Sequence, residues 1–121
     1  MTKINTVLLY VADPAESARF YGGLLDLEPV EQSPTFALFI LPSGLGLGLW
    51  GRGGVEPAPL APGGGSEVGF QVAEAAEVDR LCALWWSRGA VIALPPSDLD
   101  FGRTFVARDP DGHRLRVYAL T

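Results

Sequence analysis

Displaced by 61 residues, this chain lies over itself. Val7 then meets Val68, Val11 meets Val72, Ala12 meets Ala73, Ala15 meets Ala76, Glu16 meets Glu77 and Arg19 meets Arg80. Six identities in thirteen ungapped positions stand against about one expected by chance, and Leu9/Phe70 and Asp13/Glu74 match in kind. A chain of 121 residues has room for one compact domain, so the two copies are read as modules of a single domain spanning 1–121. The boundary between them is written in composition. Residues 52–65 hold five glycines and three prolines, which sustain neither a helix nor an interior strand. That leaves a first module over 1–51, a linker over 52–65 and a second module over 66–121.

Each copy opens on alternating apolar residues, Ile4 to Val11 and Glu67 to Val72, and passes into helical periodicity. The first helix has Asp13 as N-cap, Pro14 at its first position and Glu16 in the capping-box place. The second sets Val78, Leu81, Cys82 and Trp85 on one face and stops at Gly89. Three short strands should follow each helix, near 28–32, 35–41 and 45–50, then near 90–94, 103–108 and 113–119. Asp109-Pro110-Asp111-Gly112 is the hairpin turn between the last two. The fold class is α+β: two βαβββ modules forming a concave mixed sheet with helices on its outer face.

Side chains alternate along a strand, so each strand has a face to give its helix and a face to leave open. Val7/Leu9/Val11, Leu45/Leu47/Leu49, Val68/Phe70/Val72 and Leu115/Val117/Ala119 are the packing faces. The opposite faces carry Thr6/Leu8/Tyr10, Gly46/Gly48/Trp50, Glu67/Gly69/Gln71 and Arg114/Arg116/Tyr118. Glycine, aromatic and polar residues make a poor core and a suitable cavity wall. Glycine and proline together number 25 of 121, well above the usual share of about 12%. Gly46, Gly48 and Gly69, on the open faces of strands, belong to the part of that excess which neither the linker nor the turns explain.

Charge and motifs narrow the function. The net charge of −5 opposes nucleic-acid binding, which relies on a positive field. No apolar run is long enough to cross a membrane, and a cytoplasmic location is expected. Cys82 is the one cysteine and has no evident base beside it, so it reads as a core thiol. Trp85 reads as core, and Trp86 points elsewhere, toward a subunit contact. Asp111 and the one histidine, His113, read as turn residues.

The run from Val7 to Tyr21 (Val-Leu-Leu-Tyr-Val-Ala-Asp-Pro-Ala-Glu-Ser-Ala-Arg-Phe-Tyr), with Asp109-Pro110-Asp111-Gly112-His113, resembles the glyoxalase/bleomycin-resistance proteins of the vicinal oxygen chelate superfamily. The resemblance implies paired βαβββ modules and a homodimer. In enzymes of that family a divalent metal is held from strands 1, 4, 5 and 8. The matching positions here are Thr6, Gly48, Glu67 and Arg116, of which Glu67 alone is a metal ligand by type. No metal, cofactor or catalytic residue is therefore expected. A divergent metal-dependent lyase or dioxygenase of the same fold is the alternative.

Phe101-Gly102-Arg103-Thr104-Phe105, Arg116-Val117 and Leu49-Trp50-Gly51 look more like a narrower group, the phenazine antibiotic resistance proteins and related binders of quinoxaline-type drugs. Such proteins sequester a drug without transforming it. On this reading a planar aromatic molecule lies in a cavity between the two modules and stacks on Trp50 above Gly46 and Gly48. Arg116 or Arg103 offers it a guanidinium fork, unless Arg116 is satisfied by Glu67 in an internal ion pair. Tyr10, Phe39, Phe101, Phe105 and Tyr118 are the candidate aromatic lining, with ordinary core as the alternative for each; for Trp50 the alternative is a core filler, with Gly46 and Gly48 marking close strand packing or a bulge.

Overall fold

The computed structural model describes residues 5–121. It divides into two compact units, one ending at Pro62 and the other beginning at Gly63. In the first, β1 (Thr6–Val11) leads into α1 (Pro14–Leu25), followed by β2 (Glu31–Gln32), β3 (Phe36–Ile40) and β4 (Gly46–Gly51). The second repeats the order with β5 (Glu67–Gln71), α2 (Ala75–Ser87), β6 (Val91–Leu99), β7 (Gly102–Arg108) and β8 (Arg114–Leu120). Both sheets have four strands, ordered β1-β4-β3-β2 and β5-β8-β7-β6, with the first pair parallel and the others antiparallel. This is the expected α+β arrangement. Ile4, expected to open the first strand, lies outside the described residues.

Each helix starts and ends for a local reason. The Asp13 carboxylate accepts from the amides of Ala15 and Glu16 at 3.0 and 3.4 Å, and Pro14 fixes the first helical position. Asp26 closes α1 in the left-handed region at φ 54°. The matching cap of α2, Glu74, makes no side-chain hydrogen bond to the helix start, and Gly89 at φ +98° follows its end.

The helices bury the aliphatic faces of their own sheets. Tyr21 and Leu24 of α1 lie in the first core with Val11, Phe39, Leu47 and Leu49. In the second, Trp85 of α2 makes edge contacts with Phe70 and Phe105 at 5.5 and 5.4 Å. Fully burying side chains of this size stabilises by about 1.5–3 kcal/mol each.

Two expectations about secondary structure need correction. The linker is not wholly irregular, because Arg52–Gly54 forms a single 3-10 turn closed by the Val55 amide on the Arg52 carbonyl. Strand β6 runs on from 94 to Leu99, through Pro95 and Pro96. It is the edge strand of its sheet, where a missing amide proton has no partner to lose. The pairing with β7 shifts register between Ile92 and Leu94 and again between Leu94 and Ser97.

Candidate functional site

The face of each sheet that its own helix leaves uncovered is the candidate site, and the two units present different chemistry there. In the first unit the register sets Thr6, Leu8 and Tyr10 of β1 beside Gly46, Gly48 and Trp50 of β4. Ile40, Leu38 and Phe36 of β3 lie on the other flank of the same three residues. The face is apolar and open: Leu8 and Ile40 are each 45% exposed, and Trp50 is half-buried. Tyr10 meets Trp50 edge-on, with ring centroids 6.3 Å apart and planes at 78°.

The glycines do not leave the vacancy expected of them. A Cβ on Gly48 would stand 2.7 Å from Leu8 Cδ2 and 3.0 Å from Phe36 Cζ, and one on Gly46 would stand 3.4 Å from Leu38 Cδ1. Side chains from both flanking strands lean over β4 and fill its bare backbone. The accessible surface is therefore made of Leu8, Phe36 and the Trp50 ring, with glycine beneath. Gly69 behaves alike, since the Tyr118 ring lies 3.3 Å from where its Cβ would be.

Phe39 is a second correction. It belongs with Ala37 on the helix side of β3, is fully buried, and packs against Gly22 of α1. It lines nothing.

The open face of the second unit is polar. Glu67 accepts both Arg116 Nε, at 2.7 Å, and Arg116 Nη2, at 3.1 Å. Arg116 Nη1 donates to Thr104 Oγ1 at 3.2 Å, and that fully buried hydroxyl donates to the Val117 carbonyl at 2.8 Å. Arg114 Nε lies 3.5 Å from the same carboxylate. Hydrogen bonding from Arg116 holds the Glu67 carboxyl below its usual range; partial burial opposes this, and the charges of Arg116 and Arg114 reinforce it. Arg116 is thus satisfied within the chain. Tyr118, on the same face, meets Phe101 edge-on at 6.2 Å, and Phe101 is 41% exposed at the β6–β7 turn.

Arg103, expected to orient a ligand, is on the opposite side. Alternation along β7 groups it with the core residues Phe105 and Ala107, and its guanidinium bridges Asp79 of α2 at 2.9 Å and Asp98 of β6 at 3.0 Å. It ties the helix to the β6–β7 hairpin. Phe105 is likewise core.

The four positions that correspond to metal ligands do not suit a metal. Gly48 has no donor, the Thr6 hydroxyl donates to Asn5 Oδ1 at 3.1 Å, and the Arg116 guanidinium occupies both oxygens of Glu67. Among the described residues, no group of three His, Cys, Asp or Glu side chains stands close enough to hold a metal ion. Burial raises the Cys82 thiol above its usual range, and the charge of Asp79 adds to this, which makes it a poor nucleophile. No described helix is long and apolar enough to cross a membrane. A groove of about 370 Å³ that the sequence did not announce runs beside α1, between Ala18, Gly22 and Gly23 on one side and Leu27, Pro29 and Gln32 on the other.

Paired βαβββ units with an uncovered sheet face define the glyoxalase-type class of proteins. The chain belongs to the glyoxalase/bleomycin resistance protein/dioxygenase superfamily, whose pattern matches residues 3–117. Phenazine antibiotic resistance protein EhpR of Enterobacter agglomerans is 35% identical to it over 120 residues, which is 96% of this chain and 91% of that protein. Protein ATC0852 from Agrobacterium tumefaciens, known from a solution NMR structure, is 48% identical and superposes with a TM-score of 0.91 over 100% of this chain and 99% of its own. A glyoxalase-related enzyme from Fulvimarina pelagi, 22% identical, shares the fold with a TM-score of 0.87 over 98% of this chain and 88% of its own.

Proposed function

We propose that this protein binds a planar aromatic antibiotic or metabolite of the phenazine or quinoxaline class and protects by holding it, without metal, cofactor or chemical step. The observation that carries the reading is the open apolar face of the first unit, where the half-buried Trp50 ring stands beside Tyr10, Leu8 and Phe36. An aromatic ligand gains from burying that surface, with stacking on an indole contributing about 1 kcal/mol more. The relative whose name refers to phenazine antibiotic resistance supports the ligand class. Protection of this kind follows mass action: the protein must match the drug in amount and bind it below its free concentration.

The test is a titration with phenazine and quinoxaline followed by tryptophan fluorescence. Trp86 is 69% exposed and Trp85 is buried, so the Trp86→Phe background removes the solvent-facing signal. Quenching is expected in that background, with affinity about tenfold lower once Trp50→Ala is added. Equal affinities would remove Trp50 from the mechanism, and no binding by either protein would remove the ligand class. Recovery of the ligand chemically unchanged separates holding from turnover. The reading also has the chain as a cytoplasmic homodimer, checked by light scattering: one chain mass in solution would refute the dimer.

A further inference from the structure

We infer that Arg108 and Arg114 form an oxyanion-binding site on the open face of the second unit. The two arginines stand directly opposite each other on β7 and β8. The next pair toward the turn, Asp109 and His113, is hydrogen-bonded through the Asp109 amide at 3.0 Å. Arg108 and Arg114 therefore occupy a non-hydrogen-bonded position of the ladder, where facing side chains come closest, with Cβ atoms about 4.5–5.5 Å apart. Like charges placed so are destabilising unless something neutralises them.

Within the chain little does. Glu67, opposite Arg114 on β5, gives both oxygens to Arg116 and lies 3.5 Å from Arg114 Nε. Among the described residues the exposed Arg108 side chain makes no hydrogen bond or ion pair. Asp109, its neighbour in sequence, uses a carboxylate oxygen to accept the Asp111 and His113 amides, both at 2.9 Å. Elsewhere Arg80 has a carboxylate at 2.8 Å, and Arg103 has two, at 2.9 and 3.0 Å. On this face three arginines share one acid, in a chain whose net charge is −5. Two arginines paired across the ladder, one without a side-chain partner and the other 3.5 Å from a carboxylate already taken by Arg116, can turn planar N–H pairs to a carboxylate or a phosphate.

The site does not depend on the stacking surface at Trp50. Its anion is either the carboxylate of an aromatic acid or a free inorganic oxyanion, and one experiment separates them. Protein labelled with 15N is titrated with phenazine-1-carboxylate, neutral phenazine, benzoate and inorganic phosphate, following the arginine Nε–H and the Trp50 indole signals. Movement of the Arg108 and Arg114 signals is expected with the anions and not with phenazine. If phenazine-1-carboxylate alone moves them, the source is the ligand's own acid group; if phosphate moves them too, the site accepts free oxyanions. The Arg108→Gln/Arg114→Gln double variant should bind the anion about tenfold more weakly, and Arg108→Lys/Arg114→Lys, which keeps charge without the fork, should fall between. Binding should weaken between 0.15 and 1 M salt, as the screening length falls from about 8 Å to about 3 Å. No movement with any anion, or equal affinity in the folded double glutamine variant, overturns the proposal. The two readings fail separately: Trp50 responding to phenazine while the arginines ignore every anion sinks this one alone, and the reverse pattern sinks the stacking reading alone.

Discussion

Gly48 and Gly102 are both glycines in strands, and adding one methyl group to each should have very different consequences. At Gly48 the added carbon would press on the end of Leu8, which can swing away, and on the Phe36 ring, which moves less freely. Gly48→Ala should cost about 1–2 kcal/mol in denaturant unfolding. Gly102 has φ +146°, and a Cβ there would collide with the Ala119 carbonyl oxygen on the neighbouring strand, which is backbone and cannot yield. Gly102→Ala should fail to fold or lose about 3 kcal/mol or more. Glu67 makes a prediction in pH. Its folded-state pKa lies below the unfolded one, so its contribution is complete above the ordinary value of about 4.3 and disappears as pH falls through the lowered value. The stability gap between wild type and Glu67→Gln, about 1 kcal/mol for a half-exposed forked pair, should therefore close under acid, as read by urea midpoints from pH 7 to 3. A gap unchanged at pH 3 would mean that the charge of Glu67 is not what stabilises.

Helix starts show how far the two copies of the element have diverged. Asp13 caps α1 with two hydrogen bonds, whereas Glu74, 61 residues on, makes no such bond although its backbone is extended as a cap requires. Asp13→Ala should lose about 1 kcal/mol, and Glu74→Asp should gain a few tenths to 1 kcal/mol; thermal midpoints of the two variants should move in opposite directions. The existence and order of the elements were legible in the sequence because caps, turns and alternation are local signals. The end of β6 was not, because Pro95 and Pro96 argue against a strand unless the strand is known to be at an edge, and edges are settled by pairing far along the chain. Phe39 was misplaced because Phe36 to Ile40 are all apolar, so alternation does not say which side faces the helix. For Arg103 the signal was present: counting by two to Phe105 and Ala107 puts it on the core side, and the resemblance of Phe101–Phe105 to a drug-binding motif outweighed it. The open apolar face of the first unit was only half legible, since no pattern in β4 tells that Leu8 and Phe36 close over Gly48.

Across the whole molecule, a likeness in sequence and strand order between the halves coexists with different chemistry on their open faces. Thr6 faces Gly46 in one unit as Glu67 faces Arg114 in the other, so the matching offset is 61 residues at the first strand and 68 at the last. The extra length is accommodated between the helix and the last strand, where β6 spans nine residues and β2 two. At equivalent places Gly48 stands for Arg116, and Trp50 for Tyr118. The Glu67–Arg116 fork has a consequence for which changes selection can reach from here. Arg116→Glu, the single step toward a metal-binding set, would set a second carboxylate against Glu67 and remove the donor to Thr104, while Thr6 and Gly48 still lack strong metal donors. That substitution should therefore cost stability at a place that still lacks the donors a metal needs. The ion pair thus acts as a lock on position 116: any carboxylate arriving there meets Glu67 first, so a change at this place must be preceded by one at its partner.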